Sequence, residues 1–138
     1  MSALAEALVT AQAELPCTLG KDADGQIGTR GYRYLTLDKL IAETRPILQR
    51  HGLVIVQAPS YITRGDEAAV PVLRTWIIHA EHDGEIVFDT PLYLTDKTMQ
   101  GLGVAITYAR RYAWQSVLGI AAEEDTDAGD KLAEDVPF

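Results

Sequence analysis

Two adjacent arginines set among tyrosines, Tyr108-Ala109-Arg110-Arg111-Tyr112, are the residues of this chain best suited to hold a ligand. Guanidinium groups donate to phosphate oxygens in a fixed fork, and a tyrosine ring offers a nucleobase a flat surface for stacking. Just upstream, Lys97, Gln100 and Thr107 add an ammonium, an amide and a hydroxyl. On a helix advancing about 100° per residue, Gln100, Thr107, Arg111 and Gln115 fall on one side. Leu102, Ala105, Ile106, Ala109, Tyr112, Ala113, Ser116 and Val117 then form the buried side, with Gly103 and Tyr108 at the margins and Arg110 at the core boundary. The chemistry expected is retention of a single nucleic-acid strand by its sugar-phosphate backbone. The plainer alternative makes both arginines ion-pair partners of nearby acids and Tyr108 a core-edge residue. Gly101 and Gly103 each cost a helix about 1 kcal/mol relative to alanine. Something is therefore expected to approach the backbone there: a phosphate, a strand or a neighbouring subunit.

The remaining reactive side chains point to less. Cys17 is the only cysteine, which excludes an intrachain disulfide and a cysteine-based zinc cluster, and its neighbours Pro16 and Thr18 supply no base for nucleophilic catalysis. His79 and His82 would share a face on a helix, but their odd spacing on a strand sends them to opposite faces and argues against a metal. Asp22-Ala23-Asp24-Gly25 is a fragment of a calcium loop without the further oxygen ligands, and reads as a solvated turn. Glu123, Glu124, Asp125 and Asp127 raise a two-metal nuclease, yet no placed lysine or rigid scaffold accompanies them. No catalytic residue, metal or cofactor is expected.

The elements that must position the arginines follow from periodicity and punctuation. Leu4, Leu8 and Ala11 share a face of a short helix over residues 3–15 that stops at Pro16. Residues 17–31, rich in Gly, Asp and Thr, read as a loop. Thr36 can cap a second helix, with Asp38 favourable in its first turn, apolar residues at helical spacing from Leu37 to Leu48, and Gly52 as a left-handed cap. Pro46 predicts a kink or break near Glu43. Leu53 to Gln57 is a short strand, and Pro59 to Ala68 a turn region. Residues 70–82 and 85–94 form a hairpin across Asp83-Gly84, taken as a two-residue type I′ turn that sets His82 opposite Glu85, Ile78 opposite Asp89 and Arg74 opposite Tyr93. Leu73, Thr75, Ile77, Ile86, Phe88 and Leu92 then face the core. Arg74, Trp76, Ile78, Val87 and Tyr93 make a second face, too apolar to be plainly wet, that suits a helix, a second subunit or nucleic-acid bases. Thr98 can begin the arginine-bearing helix, with Asp96 just outside its positive end.

The totals set the frame. A chain of 138 residues is one domain's length, and 47% hydrophobic with 23% charged residues is an ordinary globular composition. No apolar run reaches a membrane span and the N-terminus lacks the basic start of a signal peptide, so a cytoplasmic protein is expected. The net charge of −8 opposes nucleic-acid binding, but residues 123–138 hold seven acids against Lys131 alone. The remaining body is close to neutral, and a local basic stripe is compatible with it. Residues 121–138 have almost no core-forming side chains and read as a flexible acidic tail behind a domain at residues 1–120.

Gln100-Gly101-x-Gly103 followed by Thr107-Tyr-Ala-Arg-Arg-Tyr112, then Leu118-Gly119-Ile120 and the acidic run, resembles the signature of the essential recombination function (ERF) family of phage single-strand annealing proteins. The likeness extends to Gly31-Tyr-Arg-Tyr34, the helix with Pro46, the strand entry at Gly52-Leu53 and the hairpin, and so covers roughly residues 3–130. The resemblance implies an α+β fold with a β-β-β-α core, an antiparallel sheet packed by a long helix, as in the eukaryotic Rad-type annealing proteins. It also implies a homo-oligomer, ring or helical filament, that holds single-stranded DNA and pairs complementary strands without ATP. The family pattern falls on Thr107, Tyr108, Arg110 and Arg111; Tyr32, Arg33, Arg74 and Lys97 join them by charge and position. The ending Asp135-Val136-Pro137-Phe138 resembles the acidic Asp-Ile-Pro-Phe tip of bacterial single-stranded-DNA-binding proteins. That likeness implies recruitment of host repair proteins that recognise such tips, and leaves a protein-binding adaptor as the alternative function.

Overall fold

The computed structural model describes residues 2–82 and 84–123. The acidic run beyond Glu123, the tip at Asp135 to Phe138 and Asp83 lie outside the described residues.

Helix α1, Ala3–Glu14, starts where the Ser2 side chain accepts from the Ala5 amide. Helix α2, Leu37–Arg50, starts where Thr36 accepts from the Lys39 amide, and ends before Gly52, whose φ of 71° is the expected left-handed cap. Pro46 does not interrupt α2, which runs continuously through it. Helix α3, Met99–Leu118, is capped by Thr98 at one end and by left-handed Gly119 at the other. In a 20-residue helix of roughly 30 Å, residue types alone do not fix which faces are covered along its length.

The main sheet is antiparallel, in the order β4-β5-β6, with β4 at Leu53–Ile62, β5 at Val70–His79 and β6 at Glu85–Pro91. Strand β4 continues five residues past the expected end and passes through Pro59; as an edge strand it tolerates the missing amide. The register of the β5–β6 hairpin differs from the expectation. Ile78 opposes Glu85, Trp76 opposes Val87 and Arg74 opposes Asp89. The connection is therefore longer than two residues. The Ala80 amide donates to the Gly52 carbonyl at 2.8 Å, drawing the end of β5 toward β4 before it can turn onto β6. Because the displacement is an even number of residues, the faces keep their sides: Leu73, Thr75, Ile77 and Leu92 are buried and Phe88 half-buried, but Ile86, expected in the core, is 39% exposed on the edge strand, and Val54, Val56 and Val87 stand exposed on the other side. His82 belongs to this connection rather than to a strand, and its ring lies 5.0 Å from that of His79 instead of on the opposite face.

All three helices pack on the inner face of the sheet. One core cluster gathers Leu4, Leu15, Leu40, Leu48, Ile55 and Ile77 around Trp114 and Leu118. A second joins Leu73 and Leu92 to Ala105, Ala109 and Ala113 of α3. Full burial of each large aliphatic side chain contributes about 1.5–3 kcal/mol. Thr44, fully buried on α2, accepts from the Trp114 indole N–H at 2.9 Å and donates to the Leu40 carbonyl at 2.7 Å, so α2 and α3 are joined inside the core without an unpaired group.

Residues 17–31 are not the expected loop. Strand β1, Thr18–Leu19, pairs in parallel with β7, Ala121–Ala122, and strands β2, Ala23–Ile27, and β3, Arg30–Tyr34, form an antiparallel hairpin of their own. Gly28, at φ 63°, supplies the backbone its tight turn requires. The Asp22 carboxylate accepts from both the amide and the hydroxyl of Thr36, fastening the hairpin's base to the start of α2. Among the described residues no helix is long and apolar enough to cross a membrane.

Candidate nucleic-acid interface

The site is built on α3, and its N-terminal entry is tightly fixed. A Cβ on Gly101 would collide with the carbonyl oxygen of Asp96, so the group that approaches this glycine is the chain's own backbone. A Cβ on Gly103 would meet nothing within 4 Å. Gln100, Gly103, Val104, Thr107, Arg111, Trp114 and Leu118 share one stripe of the helix, roughly 100° wide. Its first four members are exposed and its last three buried. One helix face thus begins as open surface and runs underneath other elements. Lys97 is exposed just before the cap. Thr107 is exposed, and its hydroxyl donates to the Gly103 carbonyl at 3.0 Å, which leaves the oxygen's lone pairs outward.

Arg111 sits where the stripe goes under, on the side the wheel gives it but covered where an open face was expected. It is only 8% exposed. Its guanidinium carbon lies 4.9 Å from the Tyr34 ring centre, 4.7 Å from that of Tyr108 and 5.2 Å from that of Tyr112. Cation–π attraction of this kind is worth about 0.5–2 kcal/mol, more as water is excluded. The covering element is the β2–β3 hairpin, whose Tyr32 and Tyr34 alternate onto one face. Gly25, opposite Tyr32, permits this: a Cβ there would come within 2.7 Å of the Tyr32 ring. The Tyr32 and Tyr108 hydroxyls meet at 3.4 Å. Burial first, then the Tyr108 hydroxyl, pushes the Tyr32 phenol up to about 12, so it is a neutral hydroxyl at physiological pH. Yet the Arg111 guanidinium makes no hydrogen bond or ion pair with any described residue. Its faces are covered by rings and its N–H edge is unused.

Arg110 also lacks a carboxylate partner among the described residues. Its Nε is buried and unpaired, and its backbone carbonyl accepts from the Gln57 amide, which also donates to Thr75, each at 3.2 Å. The other two expected arginines are placed apart. Arg74 lies on the outer sheet face in a two-pronged pair with Asp89, at 2.8 and 3.0 Å, and that pair holds the Asp89 carboxyl below its usual value. Arg33 points to the hairpin face opposite Tyr32, bonded to the Lys21 carbonyl at 2.9 Å and 3.5 Å from Asp24. The structure therefore brings together Tyr32, Tyr108 and Arg111, aligns Gln100 and Thr107 with them along α3, and leaves Arg74 and Arg33 elsewhere. Tyr34, Tyr112 and Gly25 are not among the binding residues expected from the sequence; the Tyr32-x-Tyr34 alternation is the signal that could find the hairpin's part, masked by the loop-like composition before it.

No curated protein and no solved structure matches the chain. A family model described as the ERF superfamily matches residues 4–134, nearly the whole length. With an α+β fold whose long glycine-opened helix carries the tyrosine-flanked arginine pair, this chain belongs to the ERF superfamily.

Proposed function

We propose that this protein is an ATP-independent single-strand annealing protein that binds single-stranded DNA along α3 and pairs complementary strands as a homo-oligomer. In this reading residues 1–120 are the annealing domain, and the acidic segment after them recruits host repair proteins through Asp135 to Phe138. The observation that carries it is electrostatic. In a chain of net charge −8, Lys97, Arg110 and Arg111 have no ion-pair partner among the described residues, although acids outnumber bases overall. Cations left without an acidic partner on α3 and just before its cap suit a polyanion. Tyr108 beside them suits base stacking, and the open stripe from Gln100 to Thr107 gives a strand room to lie. Family membership supports the same function, and the exposed Val54, Val56 and Val87 of the outer sheet face suit burial against a second copy.

Pairing of two complementary labelled oligonucleotides, followed in EDTA without nucleotide, tests the reading. The protein is expected to accelerate pairing, and Arg110→Ala to weaken strand binding while lowering the slope of log affinity against log salt by about 0.7. A requirement for metal with shortening of the strands would establish a nuclease instead, and absence of any strand binding would leave the adaptor.

A further inference from the structure

The hairpin that covers Arg111 is weakly held. Every residue from 23 to 34 is exposed or only half-buried, and none belongs to either core cluster. Its strands bond to each other and to no other sheet. An isolated two-stranded hairpin is marginal in water, so this one depends on its attachments. At the base these are strong: the Asp22–Thr36 bonds at 2.7 and 2.8 Å and the Lys39 ammonium on the Gly20 carbonyl at 2.7 Å. Over the helix they are the long 3.4 Å hydroxyl contact of Tyr32 with Tyr108 and the stacking of Tyr34 on Arg111. A firm base and a loose far side make a hinge.

Beneath it lies a charge with a narrow outlet. At 8% exposure, the Arg111 guanidinium has no hydrogen-bonded partner among the described residues, and its N–H edge is reached only by the little solvent that enters between the rings. Rings satisfy its π faces; its N–H edge calls for an oxyanion. The open stripe of Gln100, Gly103 and Thr107 leads directly to it. We propose that the β2–β3 hairpin is a flap over Arg111, latched by Tyr32 on Tyr108, which swings away to admit a backbone phosphate of single-stranded DNA to the Arg111 edge. Arg111 is then a seat used only in the bound state, and the latch sets how readily the strand enters. The inference rests on the annealing reading above and adds a gate to its site.

Locking the flap shut tests it. Brief photo-oxidation of the full chain with persulfate as electron acceptor couples neighbouring tyrosines, and peptide mass spectrometry identifies the Tyr32–Tyr108 product. Protein cross-linked at that pair is expected to bind oligothymidylate about tenfold more weakly than the uncross-linked protein from the same reaction, because the competent state has been removed. Tyr32→Phe, which deletes only the latching hydroxyl, is expected to give no such cross-link between these residues and to associate with the oligonucleotide about two- to fivefold faster. Equal affinity of locked and unlocked protein overturns the flap, as does unchanged association by Tyr32→Phe. If the unlocked wild-type chain fails to bind oligothymidylate at all, the annealing reading itself falls, and the flap with it.

Discussion

Single residues here divide into those that close the core and those left open for a ligand, and their hydrogen bonds tell them apart. Thr44 is the first kind. Thr44→Val preserves its shape but strips the Trp114 indole of its buried acceptor, and is expected to destabilise the fold by about 1–3 kcal/mol in urea unfolding. Arg111 is the second kind, 8% exposed with its donors unmatched among the described residues. Asp89 is a third case, a carboxylate committed to Arg74 across two strands. Its hydrogen bond to Arg74 lowers its folded-state pKa below the unfolded one. Its contribution is therefore fully present above about pH 4 and lost as pH falls through the folded value. Asp89→Asn is expected to flatten the fall in urea midpoint between about pH 5 and 2, most clearly at low salt, because the pair is part-exposed. An unchanged acid limb would show that the pair contributes nothing to the native state.

At the scale of the element, α3 shows what two glycines in one helix can mean. Gly101→Ala forces a methyl against the Asp96 carbonyl and is expected to lower the melting temperature, whereas Gly103→Ala meets open space and is expected to stabilise the fold by about 1 kcal/mol. Thermal unfolding of the two variants side by side checks this, and equal effects would contradict it. The sequence made the helices legible because their signals are local: Thr36 and Thr98 as caps, Gly52 as a left-handed stop, and apolar spacing along α2. It made the β2–β3 hairpin illegible because Asp22 to Gly25 carries turn residues with little strand preference, and the strand depends on a partner some eighty positions away, at Tyr108. The β5–β6 register failed for a similar reason: Asp83-Gly84 is a strong local turn signal, but the Ala80–Gly52 bond spans a different pair of strands. For Arg111, the helical wheel gave its direction correctly, and only the missing hairpin made that direction look open.

For the whole molecule the consequence is a body with one finished side and one unfinished side. Three helices cover the inner face of the sheet, while the outer face leaves Val54 45%, Val56 42% and Val87 42% exposed around Trp76. If copies of the chain assemble as proposed, Val56→Glu is expected to lower the sedimentation coefficient toward that of a monomer while leaving the helical circular dichroism intact; an unchanged sedimentation profile would place the contact elsewhere. The short β1–β7 pairing has a mechanical meaning. Ala121 donates to the Cys17 carbonyl at 2.9 Å and Glu123 to the Leu19 carbonyl at 2.8 Å, and the two strands run parallel. A pull on the chain beyond Glu123 that was directed along these strands would load both bonds together, in shear, instead of peeling them one at a time. The load would divide, one part crossing those bonds into the segment between α1 and the hairpin and the other following the backbone through Gly119 into α3.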